Sequence, residues 1–253
     1  MSKPIVDIII PNYNKGPFLD ECINSVINQS YEYWSLFIID DCSTDNSSQI
    51  LDKYKNRKNF KIIKLNKNKG PSFCRNLGMR VSKSDYMAFL DSDDLWTENK
   101  LKNQISFMID NSINFTYSDY TSFVIKNNKR IYKKKTNLKK SLNFHEFISN
   151  SSINSSTMII TRKIVGTNKF KRVGLLEDYL FKCDILKNNH LAEKINQNLA
   201  FYRLLPNNRS SNRFSNLYWL WKINNIYNKL SFFNNIKSII GIIVNSIRKY
   251  GIK

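Results

Sequence analysis

The sequence predicts an α/β fold, in which a doubly wound, mostly parallel sheet forms a single domain that is followed by a helical C-terminal tail. Apolar runs typical of buried parallel strands alternate four times with segments of helical periodicity over residues 1–110. Gly-Pro pairs at 16–17 and 70–71 mark two of the intervening turns. A chain of 253 residues with 42% hydrophobic residues can bury one substantial core.

The strand–helix units follow one another without a long insertion. The predicted strands are Ile5–Ile10, Trp34–Ile39, Phe60–Leu65 and Tyr86–Leu90. The segments after them carry apolar residues at helical spacing, within Phe18–Ile27, Ile50–Tyr54, Phe73–Val81 and Thr97–Ile109. Because strands joined by helices run parallel, their carboxyl ends meet at one edge of the sheet, where ligands bind in open α/β folds.

The second half of the sequence is predicted to form further strands and one more helix. Phe115–Ile125 has the pattern of a long strand or a strand pair, and Ser156–Ile160 that of another strand. Lys133–Lys135 and Lys139–Lys140 are assigned to a solvated loop. We place the domain at residues 1–213, with halves 1–110 and 111–213, and the helical tail at 214–253.

Composition narrows the class of protein. Lys and Arg outnumber Asp and Glu by 40 to 20, but the basic residues are spread over the whole chain. We therefore predict anionic partners and no nucleic acid. The four cysteines form no CxxC pair, which favours a reducing cytoplasm, and no apolar stretch reaches the roughly 18 to 20 residues of a membrane span.

Carboxylates crowd the end of the fourth predicted strand, where Asp91, Asp93 and Asp94 occupy three of four positions. Like charges at that spacing repel one another unless a cation lies between them. The alternative is a turn whose aspartates cap the next helix. Polar clusters also follow the first two strands, at Tyr13-Asn14 and Asp40-Asp41, where ordinary turns and N-caps are the alternatives. Three such clusters at one sheet edge favour a ligand site.

Neither GxGxxG nor GxxxxGK[ST] occurs, so dinucleotide and P-loop sites are not supported. The ordered segments PNYN at 11–14, DDCSTD at 40–45, NKGPSFCRN at 68–76 and FLDSDD at 89–94 resemble the family 2 glycosyltransferases, an inverting group with the GT-A fold. The resemblance is strong over residues 4–110 and continues weakly to about 213. It implies binding of a nucleotide sugar and transfer of the sugar.

The resemblance also implies roles for single residues. Pro11, Tyr13, Asn14 and Asp41 would line the pocket of the base and ribose. Asp91-Ser92-Asp93 matches the DxD motif, in which Asp93 binds Mn²⁺ or Mg²⁺ and Asp91 faces ribose and metal. Hard cations of this kind prefer oxygen ligands. Arg75 and Lys15 are candidate neighbours of the phosphates.

The acidic pair Glu177-Asp178 begins a predicted helix amid apolar residues. It matches the ED motif of the family, which makes Asp178 the general base; the alternative is a favourable first turn against the helix dipole. One departure follows Tyr202-Arg203, since Leu205 stands near the place of a family histidine. Arg203, Arg209, Ser210 and Ser211 are candidates to cover the diphosphate instead.

The predicted function is metal-dependent, inverting transfer of a hexose from a UDP-sugar to a lipid-linked or free saccharide acceptor. By analogy, the setting is the assembly of O-antigen, lipooligosaccharide or capsule. Two alternatives are a sugar nucleotidyltransferase, which should carry a Gly-rich stretch after its first strand, and a basic α/β domain that binds nucleic acid. The latter has no use for Asp91, Asp93 and Asp178 together.

The tail repeats isoleucine on one helical face, at Ile236, Ile240, Ile243 and Ile247, with Lys237 and Arg248 nearby. One interpretation is a helix packed on the domain or on a second subunit. The other is an in-plane helix at an anionic membrane surface. The second interpretation places the protein in the cytoplasm, peripheral on the cytoplasmic face of the inner membrane.

Overall fold

The computed structural model describes residues 3–206 and 212–250. In this part of the chain, ten strands form one sheet with nine α-helices around it, which confirms the predicted α/β class. The strands are β1 (Val6–Asn12), β2 (Trp34–Asp40), β3 (Phe60–Lys64), β4 (Tyr86–Phe89), β5 (Leu95–Trp96), β6 (Phe115–Lys126), β7 (Lys129–Lys135), β8 (Ser141–Leu142), β9 (Ile159–Thr161) and β10 (Ala192–Arg203). The helices are α1 (Gly16–Ile27), α2 (Ser47–Asp52), α3 (Pro71–Val81), α4 (Lys100–Asp110), α5 (Phe144–Ile148), α6 (Arg162–Val165), α7 (Glu177–Leu186), α8 (Arg213–Ile226) and α9 (Phe232–Tyr250).

The sheet has the strand order β3-β2-β1-β4-β9-β6-β10-β5, with β7 paired to β6 and β8 to β10. Strands β1 to β4 are parallel where they pair, and β10 is parallel to β6. Strand β9 runs antiparallel to both β4 and β6, so these two point the same way. The carboxyl ends of β1, β2, β4 and β6 therefore lie along one edge, the carboxyl rim.

Helix α3 lies directly against the centre of the sheet. Gly78 makes this possible, since a Cβ atom there would lie 2.5 Å from the side chain of Ile9 in β1. Ile9 and its neighbours in β1 are completely buried. Close packing of a helix on a buried strand fixes the helix in depth and rotation. The basic side chain of Arg75 on α3 is thereby held at the carboxyl rim.

Two predictions about the second half need correction. The predicted strand Ser156–Ile160 is present as β9 but begins only at Ile159, because Ser155–Thr157 forms a 3₁₀ turn in which the Asn154 side chain accepts the amide N–H of Ser156 at 2.8 Å. Lys133–Lys135 belongs to an exposed edge strand rather than a loop. Asn127 and Asn128, with φ of 50° and 56°, form the tight turn that joins β6 to β7.

The C-terminal helices pack on the domain through both apolar and polar residues, with Ile223 of α8 inside the core and Ile239 and Ile242 of α9 against it. On α9, Ser238 donates its hydroxyl to the Ile148 carbonyl at 2.5 Å, and Asn245 donates to the Asn150 carbonyl at 2.8 Å. The isoleucine stripe faces outward, and Ile240 is 55% exposed. The helix thus packs on the domain as one interpretation predicted, but through residues other than the stripe. Among the helices of residues 3–206 and 212–250, none has both the length and the apolar character needed to cross a bilayer.

Candidate active site

An open cavity of about 420 Å³ lies at the carboxyl rim, between the end of β4 and the start of α7. It brings Arg75 and Asp91 of the first half together with Asp178 of the second. The C-terminal helices supply Asn216, Ile242, Asn245 and Ser246 to its wall. The other predicted residues, Pro11, Tyr13, Asn14, Asp41, Ser92 and Asp93, do not line this cavity.

Asp91 is paired with Arg75, whose Nη2 lies 2.6 Å from Asp91 Oδ1. Arg75 is nearly buried. Burial alone would lower the pKa of Arg75, but the charges of Asp91 and then Asp178 outweigh it and raise that pKa. The guanidinium is therefore a fixed positive charge between Asp91 and Asp178, two of the three carboxylates that line the cavity.

Asp93 forms an ion pair with Lys15, whose Nζ lies 2.7 Å from Asp93 Oδ2. Ser92 between the two aspartates is buried. Asp91 and Asp93 present oxygen donors of the kind that Mg²⁺ and Mn²⁺ prefer. Within residues 3–206 and 212–250, no group of three His, Cys, Asp or Glu side chains is placed to hold a metal ion. The predicted DxD pair supplies two carboxylates, and a metal ion held by them would take its remaining ligands from phosphate and water.

Asp94, the third aspartate, is completely buried, and its hydrogen bonds stabilise the loop that carries Asp91 and Asp93. Its Oδ2 accepts the Ser156 hydroxyl at 2.6 Å and its Oδ1 the Arg203 amide N–H at 3.0 Å. Burial, followed by the charges of Asp93 and Asp91, raises the pKa of Asp94. Sequence reasoning gave this residue no separate role.

The prediction that Arg203 covers the diphosphate is wrong. Its guanidinium is 1% exposed and lies between the rings of Phe18 and Phe123. Nη2 donates to Glu21 Oε2 at 2.6 Å, and Nε donates to the Asp93 carbonyl at 2.7 Å. Arg203 thus stabilises the loop of Asp91–Asp93 from its buried side. The other candidates, Arg209, Ser210 and Ser211, lie outside the described residues.

The residues predicted to bind the nucleotide lie beside the cavity, at the carboxyl ends of β1 and β2. This group, here called the shelf, consists of Pro11, Tyr13, Asn14 and Asp41. The two oxygens of Asp41 accept the amide N–H groups of Lys69 and Gly70, each at 2.7 Å. Asn14 joins the β1–α1 loop to the next loop, since its Oδ1 accepts the Thr44 amide N–H at 2.8 Å. Tyr13 is 46% exposed, and Pro11 lies in β1 beside it. Asp41 fixes the loop before α3 rather than standing free.

Asp178 occupies the first turn of α7, where Leu176 in the left-handed region with φ of 63° turns the chain into the helix. Its Oδ2 accepts hydrogen bonds from Lys182 Nζ at 2.7 Å and the Ser155 hydroxyl at 3.2 Å. Burial raises the pKa of Asp178, but Lys182, Arg75 and these hydrogen bonds outweigh it and lower the pKa to about 2. Asp178 is therefore ionised at neutral pH.

Comparison with known proteins identifies the arrangement. The model of "Glycosyl transferase family 2" matches residues 7–178, more than half of the chain. The chain belongs to the family 2 glycosyltransferases. The match spans the predicted DxD aspartates and ends at Asp178.

Relatives extend over nearly the whole length of this family 2 glycosyltransferase. It is 33% identical over 228 residues to WfgD of Escherichia coli, named a UDP-Glc:α-D-GlcNAc-diphosphoundecaprenol β-1,3-glucosyltransferase, with 88% of this chain and 86% of WfgD covered. It is 31% identical to an uncharacterized glycosyltransferase of Haemophilus influenzae, with 94% of both chains covered. The crystal structure of S. aureus TarS 1–349 with UDP-GlcNAc matches at a TM-score of 0.72 and 20% identity, over 96% of this chain and 72% of that one. This last likeness shows a shared fold.

The glycosyltransferase has supporting residues that sequence reasoning missed. Lys182 is nearly buried and donates to the Ile153 carbonyl at 2.7 Å as well as to Asp178. Its spacing of four residues from Asp178 on one helix was a usable signal. Ser155 and Ser156 gave no such signal, because they act from a turn that only the folded chain brings to the rim.

Proposed function

We propose that this glycosyltransferase transfers a hexose from a UDP-sugar to a saccharide acceptor, with inversion at the anomeric carbon. The hexose would be glucose, galactose or an N-acetylated form. The observation that carries the proposal is the shared cavity of Asp91, Arg75 and the ionised Asp178. In this proposal the side of the cavity with Asp91 and Arg75 binds the diphosphate, and Asp178 on the other side accepts the proton.

Support for a UDP-sugar comes from the shelf and from a relative. WfgD carries UDP-Glc in its name. Exposed Tyr13 can pack a ring against a pyrimidine. Asp41 is buried, so a contact with the N3–H of uracil would require the base to enter between the loops and use a lone pair that its two backbone hydrogen bonds leave. A carboxylate at this place should prefer uridine or thymidine diphosphates to GDP.

Support for metal dependence comes from the DxD pair. Asp93, with Asp91, would hold Mn²⁺ or Mg²⁺ through carboxylate oxygens. When bound, the ion supplies positive charge that stabilises the leaving diphosphate. The chain adds its own cations, since Lys15 and Arg75 already lie on these aspartates and can contact phosphate oxygens.

In the proposed chemical step, an acceptor hydroxyl attacks the anomeric carbon from the side opposite the diphosphate. The new C–O bond forms as the bond to UDP breaks, and the hydroxyl proton passes to Asp178. Lys182 and Ser155 occupy Oδ2, and no described residue hydrogen-bonds to Oδ1. We assign the proton to Oδ1.

We further propose a lipid-diphosphate-linked acceptor in the assembly of bacterial surface polysaccharide, such as O-antigen, lipooligosaccharide or capsule. The name of WfgD specifies a diphosphoundecaprenol acceptor. One face of α9 contributes Ile242 and Ser246 to the cavity while Ile240, Ile243, Val244 and Ile247 stay exposed. This two-faced helix supports peripheral attachment to the cytoplasmic face of the inner membrane.

A donor screen tests the proposal. Purified protein is incubated with Mn²⁺, a GlcNAc-diphosphate-lipid analogue, and UDP-glucose, UDP-galactose, their N-acetylated forms or GDP-mannose, and free nucleotide and product are measured. The proposal expects UDP release with one UDP-sugar, loss of the reaction in EDTA, and a product of inverted configuration. A protein that instead makes a nucleotide sugar from UTP and a sugar phosphate would be a nucleotidyltransferase.

A further inference from the structure

The hairpin formed by β6 and β7 has a high local density of positive charge, whereas the basic residues of the rest of the chain are spread along it. Its residues 126–140, here called the basic hairpin, include eight Lys or Arg and no Asp or Glu. Every residue of β7 is exposed. The sequence predicted an even distribution of charge, whereas the fold gathers these cations on one projecting strand and the loop after it.

The basic hairpin projects from the carboxyl rim. Strand β6 points the same way as β4, because both run antiparallel to β9. The turn at the end of β6 therefore extends past the edge that carries Asp91 and Asp93. Arg130 of the hairpin pairs with Glu21 of α1, and Arg203 pairs with the same Glu21 while it donates to the Asp93 carbonyl. The hairpin is thus anchored to the DxD loop.

Most of these cations have no counter-charge. In the part of the chain that the structure describes, only Arg130 and Lys139 of the hairpin form ion pairs, with Glu21 and Glu146. The other six are Lys126, Lys129, Lys133, Lys134, Lys135 and Lys140. Cations clustered without counter-charges sum to a strong local potential that attracts polyanionic surfaces.

Protection of an edge strand explains only part of this charge. Lysines on an exposed edge discourage pairing with other strands, but Lys139 and Lys140 lie in the loop after β7 and protect no edge. Ile131 within the hairpin is 44% exposed among its lysines, and Ile125 immediately before the hairpin is 48% exposed. Cations next to exposed aliphatic side chains suit a headgroup boundary, where the charges meet lipid phosphates and the side chains leave water.

We propose that the basic hairpin docks the enzyme on an anionic phospholipid bilayer with the carboxyl rim toward the headgroups. The inference rests on the proposed function to the extent that a lipid-linked acceptor presents its sugar at this level. Nucleic acid is a weaker match, because it would use the cations but gain nothing from Ile125 and Ile131.

The test compares two triple variants with the same change in net charge. Lys133→Glu, Lys134→Glu and Lys135→Glu alter the hairpin. Lys55→Glu, Lys58→Glu and Lys61→Glu alter exposed lysines at the amino end of β3, at the opposite edge of the sheet. Binding is measured by sedimentation with vesicles of phosphatidylcholine alone and of equal parts phosphatidylcholine and phosphatidylglycerol.

Wild type and the β3 triple should sediment with the anionic vesicles, not with the neutral ones, and high salt should release them. The hairpin triple should lose more than about 100-fold in partition coefficient, since each lost cation near an anionic leaflet costs about fivefold and each new glutamate is repelled by the lipid phosphates. A hairpin triple that aggregates is replaced by its Lys→Gln counterpart, which only removes the three cations and for which a loss of about 100-fold is expected.

Equal binding by wild type and the hairpin triple would overturn the proposal, as would equal loss in both triples. Binding to a DNA duplex without binding to anionic vesicles would also overturn it and assign the hairpin to nucleic acid. Activity separates this proposal from the proposed function. The hairpin triple should retain transfer to a water-soluble acceptor analogue, whereas a wild type that binds vesicles but transfers no sugar would refute the function alone.

Discussion

Ser156 donates its hydroxyl to Asp94 Oδ2 at 2.6 Å, in a buried hydrogen bond between two halves of the sheet. The same hydroxyl accepts the amide N–H of Asp91 at 3.1 Å. The preceding residue, Ser155, donates to Asp178. A single turn therefore links the loop of the DxD motif to the proposed base.

Ser156→Ala should lower the free energy of unfolding by about 1–3 kcal/mol, because it leaves the buried Asp94 carboxylate short of a donor. It should also weaken metal-dependent UDP binding, since Asp91 loses an anchor. Urea unfolding and calorimetry with UDP and Mn²⁺ measure the two effects. Ser155→Ala is the matched control, and we expect it to lower kcat while leaving UDP affinity near that of wild type. Identical behaviour of the two variants would contradict separate roles for the serines.

Asp93→Asn should nearly abolish sugar transfer and metal-dependent UDP binding while the fold persists. The substitution removes the carboxylate charge that a divalent ion needs but keeps the shape of the side chain. Asp52→Asn, on the surface of α2, is the control and should behave as wild type. Full activity of Asp93→Asn, or of wild type in excess EDTA, would refute the assigned metal site.

The first four strand–helix units could be predicted because each carries its own local signal. Buried parallel strands appear as continuous apolar runs, as in Ile8–Ile10, and their helices repeat apolar residues at helical spacing. The polar residues that follow each strand were placed at one edge by topology alone. That reasoning placed Asp91 at the edge, whereas Arg75 and Asp178 were named from the resemblance to the family; the fold brings all three to one cavity, and their roles stay predictions.

The remaining features depend on contacts between distant segments. Asn154 turns its neighbours into a 3₁₀ turn, so a β-like run at Ser156 forms no strand there. The sequence predicted that Arg203 covers the diphosphate, but long-range contacts with Glu21 and Phe123 bury its side chain. Helix α9 packs through Ser238 and Asn245, together with Ile239 and Ile242, rather than through the predicted isoleucine stripe, because polar contacts decide which face meets the domain.

Lys182→Met should affect kcat more than it affects the KM for the donor. It should also move the acid limb of the pH–rate profile to higher pH. Lys182 is the strongest of the interactions that lower the pKa of Asp178 to about 2, against the effect of burial. Without that charge the pKa rises, and Asp178 becomes protonated, and inactive as a base, at a higher pH than in wild type. Arg75 also faces Asp178 and continues to favour its ionised form.

Lys187→Met is the control for this variant, because Lys187 lies at the end of the same helix and pairs with Asp184 outside the cavity. Its pH–rate profile should match wild type. In an Asp178→Asn background, Lys182→Met should cause no further loss of kcat if it acts through Asp178. An unshifted profile in Lys182→Met would refute the positioning role.

Lys100→Met should change how stability depends on pH. Lys100 is completely buried between Gln104 and the Trp96 ring, and burial lowers its pKa well below 10.5. Between its folded and unfolded pKa values the unfolded chain binds more protons, so wild-type stability rises with pH across that window. The variant lacks this rise and should gain most relative to wild type at acidic pH. Parallel curves of melting temperature against pH would contradict a lowered pKa of Lys100.

The most direct test of the account compares the neighbouring carboxylates Asp178 and Glu177 in the transfer reaction. Single-turnover rates and UDP affinity are measured for Asp178→Asn and Glu177→Gln with the donor found by the screen. We predict that Asp178→Asn lowers kcat by about 10² to 10⁴, the usual range of general-base catalysis, with UDP affinity near that of wild type. Glu177→Gln should retain more activity than Asp178→Asn. An inactive Glu177→Gln beside an Asp178→Asn that keeps most of its activity would contradict the assignment of the base.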